Sequence, residues 1–285
     1  MERQNVLKQF LKLARHDLSV SFAISIIFTL VLFSFFGEYI APGHYTDVYL
    51  TKKLLPPSFE NPFGTDFLGR DIMSIIILGS RIALLVTVIP SFIAAIIGVS
   101  IGIISGYVGG LFDDVIQRGV DILMSFPGLL LSLAIINALG PGLWNAMWSV
   151  TIGRISGYVR LSRSLTFSIK ESGYVEYSKG LGANRFHIMT QHILPNILTP
   201  IIVQLTFSMP GTLLSVASLS FLGLGPNPPT ADWGVLMQQS RRYLLYAPWA
   251  AIIPGVAIFL VSLGFNIIGE TLRDIVDPRR KYISF

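Results

Sequence analysis

Residues 82–107 read IALLVTVIPSFIAAIIGVSIGIISGY, a run without a single charged side chain. A membrane helix needs about 20 consecutive, mostly apolar residues, because the hydrocarbon core is about 30 Å thick and a helix rises about 1.5 Å per residue. This stretch meets that length, and Pro90 inside it is tolerated where neighbouring helices satisfy the freed backbone group. Gly98, Gly102 and Gly106 recur every fourth residue within it. Such a G-x-x-x-G-x-x-x-G stripe lets another helix backbone approach closely. Glycine permissiveness in a loose helix is the bland explanation, but three in register favour a packing face. The partner helix can lie in this chain or in another.

The rest of the chain agrees with a membrane reading. Of its 285 residues, 52% are apolar and 13% charged, and the mean hydropathy is +0.64. An ordinary soluble domain is about 25% charged, so a water-facing surface lacks cover here and a polytopic membrane protein is the default. The absence of cysteine excludes disulfides, thiol chemistry and Cys-based metal sites. Five more spans are expected, at roughly 19–37, 122–140, 143–166, 197–222 and 247–268. The first is read as uncleaved, since its apolar run outlasts a signal h-region and FFGEYIAP offers no small-x-small site. Before it, Leu7, Phe10, Leu11 and Ala14 fall at helical spacing among lysines, as in an interfacial helix over 1–18. Neither an internal repeat nor a low-complexity tract is evident.

Loop charges set the orientation. Fourteen Lys and Arg residues fall on one side, among them Arg3, Lys8, Lys12, Arg15, Arg118, Arg160, Arg163, Lys170, Lys179 and Arg185. Six fall on the other: Lys52, Lys53, Arg70, Arg81, Arg241 and Arg242. By the positive-inside rule both termini are cytoplasmic, 38–81 and 223–246 are external, and 167–196 is the largest cytoplasmic loop. The net charge of +5 then reflects basic loops beside anionic lipid rather than a nucleic-acid partner. Arg154 is left inside the fourth span, roughly 16 Å beyond Leu143. There it is either a structural contact or part of a water-filled path that attracts an anionic group.

Familiar catalytic patterns are missing: no GxxxxGK[ST], no HExxH, no G-x-S-x-G, and four histidines without metal spacing. Asp66, Arg70 and Asp71 in GTDFLGRD are expected to serve as turn residues, caps and local ion pairs rather than as a calcium loop. Asp121 is read as capping the third span, with a proton relay as the lesser alternative. Trp233, Tyr243, Tyr246 and Trp249 are read first as an aromatic belt and second as a substrate-receiving surface.

The large cytoplasmic loop, GYVEYSKGLGANRFHIMTQHILPNILTPII, reads as two short helices joined at Gly182, with Pro195 opening the fifth span. Glu176 and Lys179 can pair at i, i+3. The segment either folds back on its own rim or docks into a partner. It resembles the EAA signature of ABC importer permeases through Glu176, Tyr177, Ser178 and Gly182, followed by Ile193, Leu194 and Pro195; Tyr177 and Ser178 replace the two alanines. Further matches narrow the resemblance to the peptide/nickel importer permeases, in particular their second, C-type subunit. They are GTDFLGRD with Ser74, Gly79 and Arg81; Gly109, Gly110, Asp113, Arg118, Asp121 and Pro127; and Gly157, Tyr158, Arg160 and Arg163. SFLGLGPNPPTADWG at 220–234 and NIIGETLRDIVDPR at 266–279 are the closest, with Glu270 for the usual Asp. Ile75 and Ile155 stand where that family carries Arg and Trp.

The resemblance implies an all-α polytopic protein of six transmembrane helices with the type I ABC importer permease fold. It further implies a non-enzymatic subunit of a cell-membrane importer for di- or oligopeptides, with nickel chelates or oligosaccharides as alternatives. Partners would be a homologous permease, two ATP-binding subunits carrying ATP and Mg, and an external substrate-binding protein. The chain would then divide into the interfacial segment 1–18, the first span and external loop 19–81, and a permease core 82–285. Within that core the coupling segment 171–190 would meet the ATPase through Glu176, Tyr177, Ser178, Gly182, Ala183 and Arg185. An ion-coupled transporter and a membrane enzyme are the distant rivals.

Overall fold

The computed structural model describes residues 17–276. The interfacial helix expected over 1–18 therefore lies outside the described residues except at its last two positions. Among the described residues the chain is helical, and the β structure is one isolated bridge between Thr65 and Asp71.

Asp17 caps α1 (Leu18–Ile40), its side chain accepting from the Ser19 N–H at 2.8 Å. Few residues of α1 are buried, whereas Phe22, Phe28, Phe35 and Phe36 stand exposed. A helix so apolar and so little covered needs a non-aqueous surrounding. The next helix, α2 (Ile72–Val108), starts well before the expected boundary at 82. Asp71 caps it by accepting from the Ser74 N–H at 2.7 Å, and Ile72, Ile75 and Ile77 are buried. Arg81 interrupts the apolar run without interrupting the helix, so 72–81 is the first part of α2 rather than loop. At about 1.5 Å per residue, its 37 residues reach about 55 Å, beyond a ~30 Å hydrocarbon core.

The expected single span at 122–140 is instead two helices, α3 (Gly110–Met124) and α4 (Gly128–Leu139), bent by 94°. Pro127 cannot donate to the helical ladder and disfavours helical backbone at Phe126 before it, which places the break. Beyond it, α5 (Leu143–Lys170) is too polar to pass as an apolar span by itself. Its small polar residues return their protons to the preceding turn: Thr151 to the Met147 carbonyl at 2.7 Å, Ser162 to Tyr158 at 2.7 Å, and Thr166 to Ser162 at 2.7 Å.

The main neighbour of α5 is α2, and the glycine stripe makes their contact. A Cβ on Gly98 would lie 2.5 Å from the Tyr158 Cβ, and one on Gly102 would lie 2.5 Å from the Val159 carbonyl oxygen. At Gly106 a Cβ would be 3.0 Å from the Arg163 carbonyl oxygen. The close approach is therefore within one chain.

After α6 (Gly173–Gly180), the second short helix expected in the loop is not separate. Arg185–His187 and a π-helical turn, Ile188–Ile193, run directly into α7 (Leu194–Phe221). Pro195 has no N–H for the Gln191 carbonyl, and the helix widens just before it, with the Leu194 N–H reaching the Met189 carbonyl. Two helices complete the chain, α8 (Trp233–Ser240) and α9 (Trp249–Val276). The described residues hold four helices long and apolar enough to cross a membrane, or five if the bent α3–α4 pair counts as one.

Three apolar cores hold these helices. A central one includes Leu30, Val86, Ile136, Val150, Val216 and Ile258. A second, with Val99, Ile103, Val175, Ile193 and Ile197, closes the end that carries α6. The third, with Ile72, Ile75, Ala231, Leu236 and Ala250, closes the opposite end, which carries α8.

Candidate functional site

At the α6 end, one buried side chain anchors the segment matching the EAA signature. Val175 is fully buried in the second core. Ser178 Oγ lies 3.2 Å from His192 Nε2, and Asn196 Nδ2 donates to the Tyr174 hydroxyl at 3.3 Å, tying α6 to the start of α7. Lys179 does not pair with Glu176; its Nζ lies 5.5 Å from the Tyr107 ring centroid instead. That cation–π contact secures α6 to the end of α2. Glu176 and Arg185 remain exposed, Ala183 is partly covered, and Gly182 turns the chain at φ +85° with open space around its Cα. Gly182 is therefore required for its left-handed backbone rather than by crowding. Tyr177, Leu181 and Phe186 are 70–72% exposed on this face.

Two acid–base pairs strap α3 to α5. Arg163 Nε donates to Asp113 Oδ1 at 2.6 Å, its second nitrogen binds the other carboxylate oxygen, and Ser105 adds a further hydrogen bond to Asp113. Arg160 donates to Asp121 Oδ1 at 2.8 Å across an exposed surface. Asp121 thus sits in the last turn of α3 and pairs with α5. It caps no helix N-terminus, because the break at Pro127 separates it from α4.

Between those straps and the α3–α4 bend lies a recess of about 280 Å³, lined by residues that include Met124, Phe126, Arg154, Tyr158, Gln204 and Ser208. Arg154 Nε is buried without a hydrogen-bond partner, and no ion pair among the described residues includes this side chain. Its guanidinium lies against Gly211, where a Cβ would fall 2.6 Å from Nη2. The sequence reading missed Gln204, although it is the one amide in 197–222 and an amide in an apolar span is a usable signal.

At the α8 end, the 41–71 segment folds as a cap. Asp66 and Arg70 are 0% and 3% exposed, with Arg70 Nε donating to Asp66 Oδ2 at 2.6 Å. Arg70 also donates to Gln239 of α8 at 3.0 Å. The pair is local, as the sequence suggested, and it is also buried. Trp233 is buried too, donating its indole N–H to the Ile76 carbonyl at 3.2 Å, so it belongs to the core rather than to an aromatic belt. Tyr246 remains exposed, and Tyr243 stacks on Phe67 with centroids 5.9 Å apart. Among the described residues, no cluster of three His, Asp or Glu could hold a metal ion.

Residues 98–282 match the family described as binding-protein-dependent transport system inner membrane component. The probable D,D-dipeptide transport system permease protein DdpC of Escherichia coli is 40% identical over 92% of this chain and 88% of its own length. The dipeptide transport system permease protein DppC of Alkalihalophilus pseudofirmus is 39% identical over 95% of this chain and 89% of its own. The glutathione transport system permease protein GsiD of Pectobacterium atrosepticum is 36% identical over 90% of this chain and 85% of its own. Among solved structures, a chain of the inward-facing MetNI methionine ABC transporter superposes with a TM-score of 0.59. That match is 20% identical, covers 72% of this chain and 98% of the other, and establishes a shared fold.

Proposed function

Because the chain belongs to the family of binding-protein-dependent transport system inner membrane components, we propose that it is one permease subunit of an ATP-driven importer of di- or oligopeptides. The observation that carries the substrate class is near-full-length identity of 39–40% to permeases named for dipeptides. In this reading the chain crosses the membrane six times. The bent α3–α4 pair makes one crossing, and α5 makes another because α2 and the neighbouring helices cover its polar residues. Both termini and α6 are cytoplasmic; the 41–71 cap and α8 are external.

A second, homologous permease completes the path, two ATPase subunits bind ATP and Mg, and an external binding protein delivers the substrate. The α6 segment transmits the ATPase movement. Support comes from its exposed Tyr177, Leu181 and Phe186, which lie next to a left-handed turn at Gly182 and rest on a single buried anchor. Relative movement of the two permeases then alternates access.

The test is uptake. Cells expressing the chain with its cognate subunits should accumulate a labelled dipeptide, and removing this subunit should abolish that uptake. Accumulation of a nickel chelate or an oligosaccharide in place of the dipeptide would replace the substrate class while leaving the importer reading intact. Because the chain lacks cysteine, single cysteines at Lys52 and Pro228 test topology: both should react with an impermeant thiol reagent in intact cells. Labelling only after permeabilisation would invert the orientation.

A further inference from the structure

We propose that the recess at the α3–α4 bend is a carboxylate-binding subsite for the transported solute, with Arg154 as its charge and Gln204 as its neutral donor. The inference rests on the chain being an importer permease, and extends that reading to what the path recognises. A guanidinium stays charged at physiological pH and is costly at mid-membrane depth unless it meets water or an anion. Here Arg154 has neither a carboxylate nor a carbonyl partner among the described residues, yet it borders a recess of about 280 Å³.

The other polar groups at the recess are partly spoken for. Ser208 donates to the Leu205 carbonyl at 2.8 Å and lies 2.7 Å from the Tyr158 hydroxyl, which can donate to it in turn. Gln204 makes no such bond and lines the same space, so it and Arg154 hold the free donor capacity. The apolar remainder, including Met124, Phe126 and Leu131, lowers the local polarity and so strengthens a charge interaction made there. Two sources of an anion are conceivable, a lipid headgroup and a solute. Arg154 lies roughly 16 Å along α5 from Leu143, which removes it from the headgroup level at that end and favours a solute carboxylate.

Two measurements test the proposal. In the first, Gly157→Cys places a lone thiol at the recess, where a Cβ meets nothing within 4 Å. The purified complex is treated with an anionic and a cationic methanethiosulfonate reagent of similar size. Arg154→Gln should lower the anionic-to-cationic rate ratio about tenfold, and Arg154→Lys should restore most of it. An unchanged ratio overturns the proposal.

In the second, proteoliposomes carrying the complete importer take up a dipeptide with a free or an amidated C-terminus. Arg154→Gln should cut uptake of the free acid about tenfold and leave the amide within about twofold. Equal loss for both overturns the subsite. If the wild-type importer takes up neither peptide, the peptide reading fails while the thiol ratio still decides the subsite. Should Arg154→Gln prevent assembly, Gly211→Ala replaces it, because the added Cβ lies 2.6 Å from Nη2 and must move the charge. No change of the thiol ratio in that variant likewise overturns the proposal.

Discussion

The 41–71 cap at the α8 end and the segment around α6 differ in what their buried side chains hold. At the α8 end, Asp66 and Arg70 are buried and satisfy each other, and Trp233 and Trp249 turn their indole N–H groups to the Ile76 and Thr65 carbonyls. These contacts hold the cap together, while Leu245 and Tyr246 beside it stay exposed. At the α6 end, Val175 is buried while Tyr177, Leu181 and Phe186 point away from the chain that carries them. Their exposure beside the turn at Gly182 makes this face the candidate contact surface of the chain. The difference separates a cap whose buried polar groups satisfy one another from a face that, in the function proposed above, meets an ATPase subunit.

Arg70→Ala should do the most damage to the cap. It leaves Asp66 buried without its partner, and breaking a buried pair typically costs about 3–5 kcal/mol. Thermal unfolding of the purified protein in detergent should fall accordingly; a loss under about 1 kcal/mol would mean that the cap is as loosely held as an exposed pair. Gly182→Val comes next. A β-branched residue at φ +85° carries backbone strain of about 1–3 kcal/mol. The space around Gly182 is open, so the cost should appear as lost coupling of ATP hydrolysis to substrate rather than as failed insertion. Unchanged substrate-stimulated hydrolysis would remove the turn from the mechanism.

A smaller, pH-dependent effect is expected at Asp232, which caps α8 through the Val235 N–H at 2.8 Å. Burial pushes its carboxyl above the usual carboxylate range. With the native pKa raised, ionisation costs nothing below the unfolded value, and the cost grows as pH rises through the native one. Asp232→Asn, which can still cap, should therefore gain stability relative to wild type as pH rises from acid to neutral. A difference independent of pH would mean the carboxylate is not disfavoured in the cap. The smallest effect on folding belongs to Tyr177→Ala and Phe186→Ala. Exposed changes of this kind shift stability by at most about 0.5 kcal/mol. Each should nonetheless weaken retention of the ATPase subunits on purification. Full retention in both variants would make the α6 face an ordinary surface.

Much of this architecture is legible in the chain because its causes are local. The uncharged run at 82–107 and the proline at 127 report on backbone solvation and hydrogen bonding within a few residues. Even so, locality misled at three points. Arg81 looked like a boundary, yet α2 continues through it because Asp71 caps the helix ten residues earlier. Asp121 looked like a cap, but the chain breaks between it and α4. Trp233 looked interfacial because aromatic residues cluster near it in sequence, whereas its ring packs beside Gly79, where no Cβ could fit.

A helical membrane protein, the position of most of its apolar runs and the importer family its ordered motifs resemble can all be read along the chain. Those properties follow from hydropathy, glycine spacing and short motifs. Which residues meet is a matter of how the helices cross. Asp113 finds Arg163 fifty positions away, the glycine stripe faces α5 rather than another subunit, and Arg70 is buried. The crossing also decides that Arg154 faces a recess without a counter-charge among the described residues. A side chain's burial and partners depend on how distant helices cross, and no local pattern specifies that crossing.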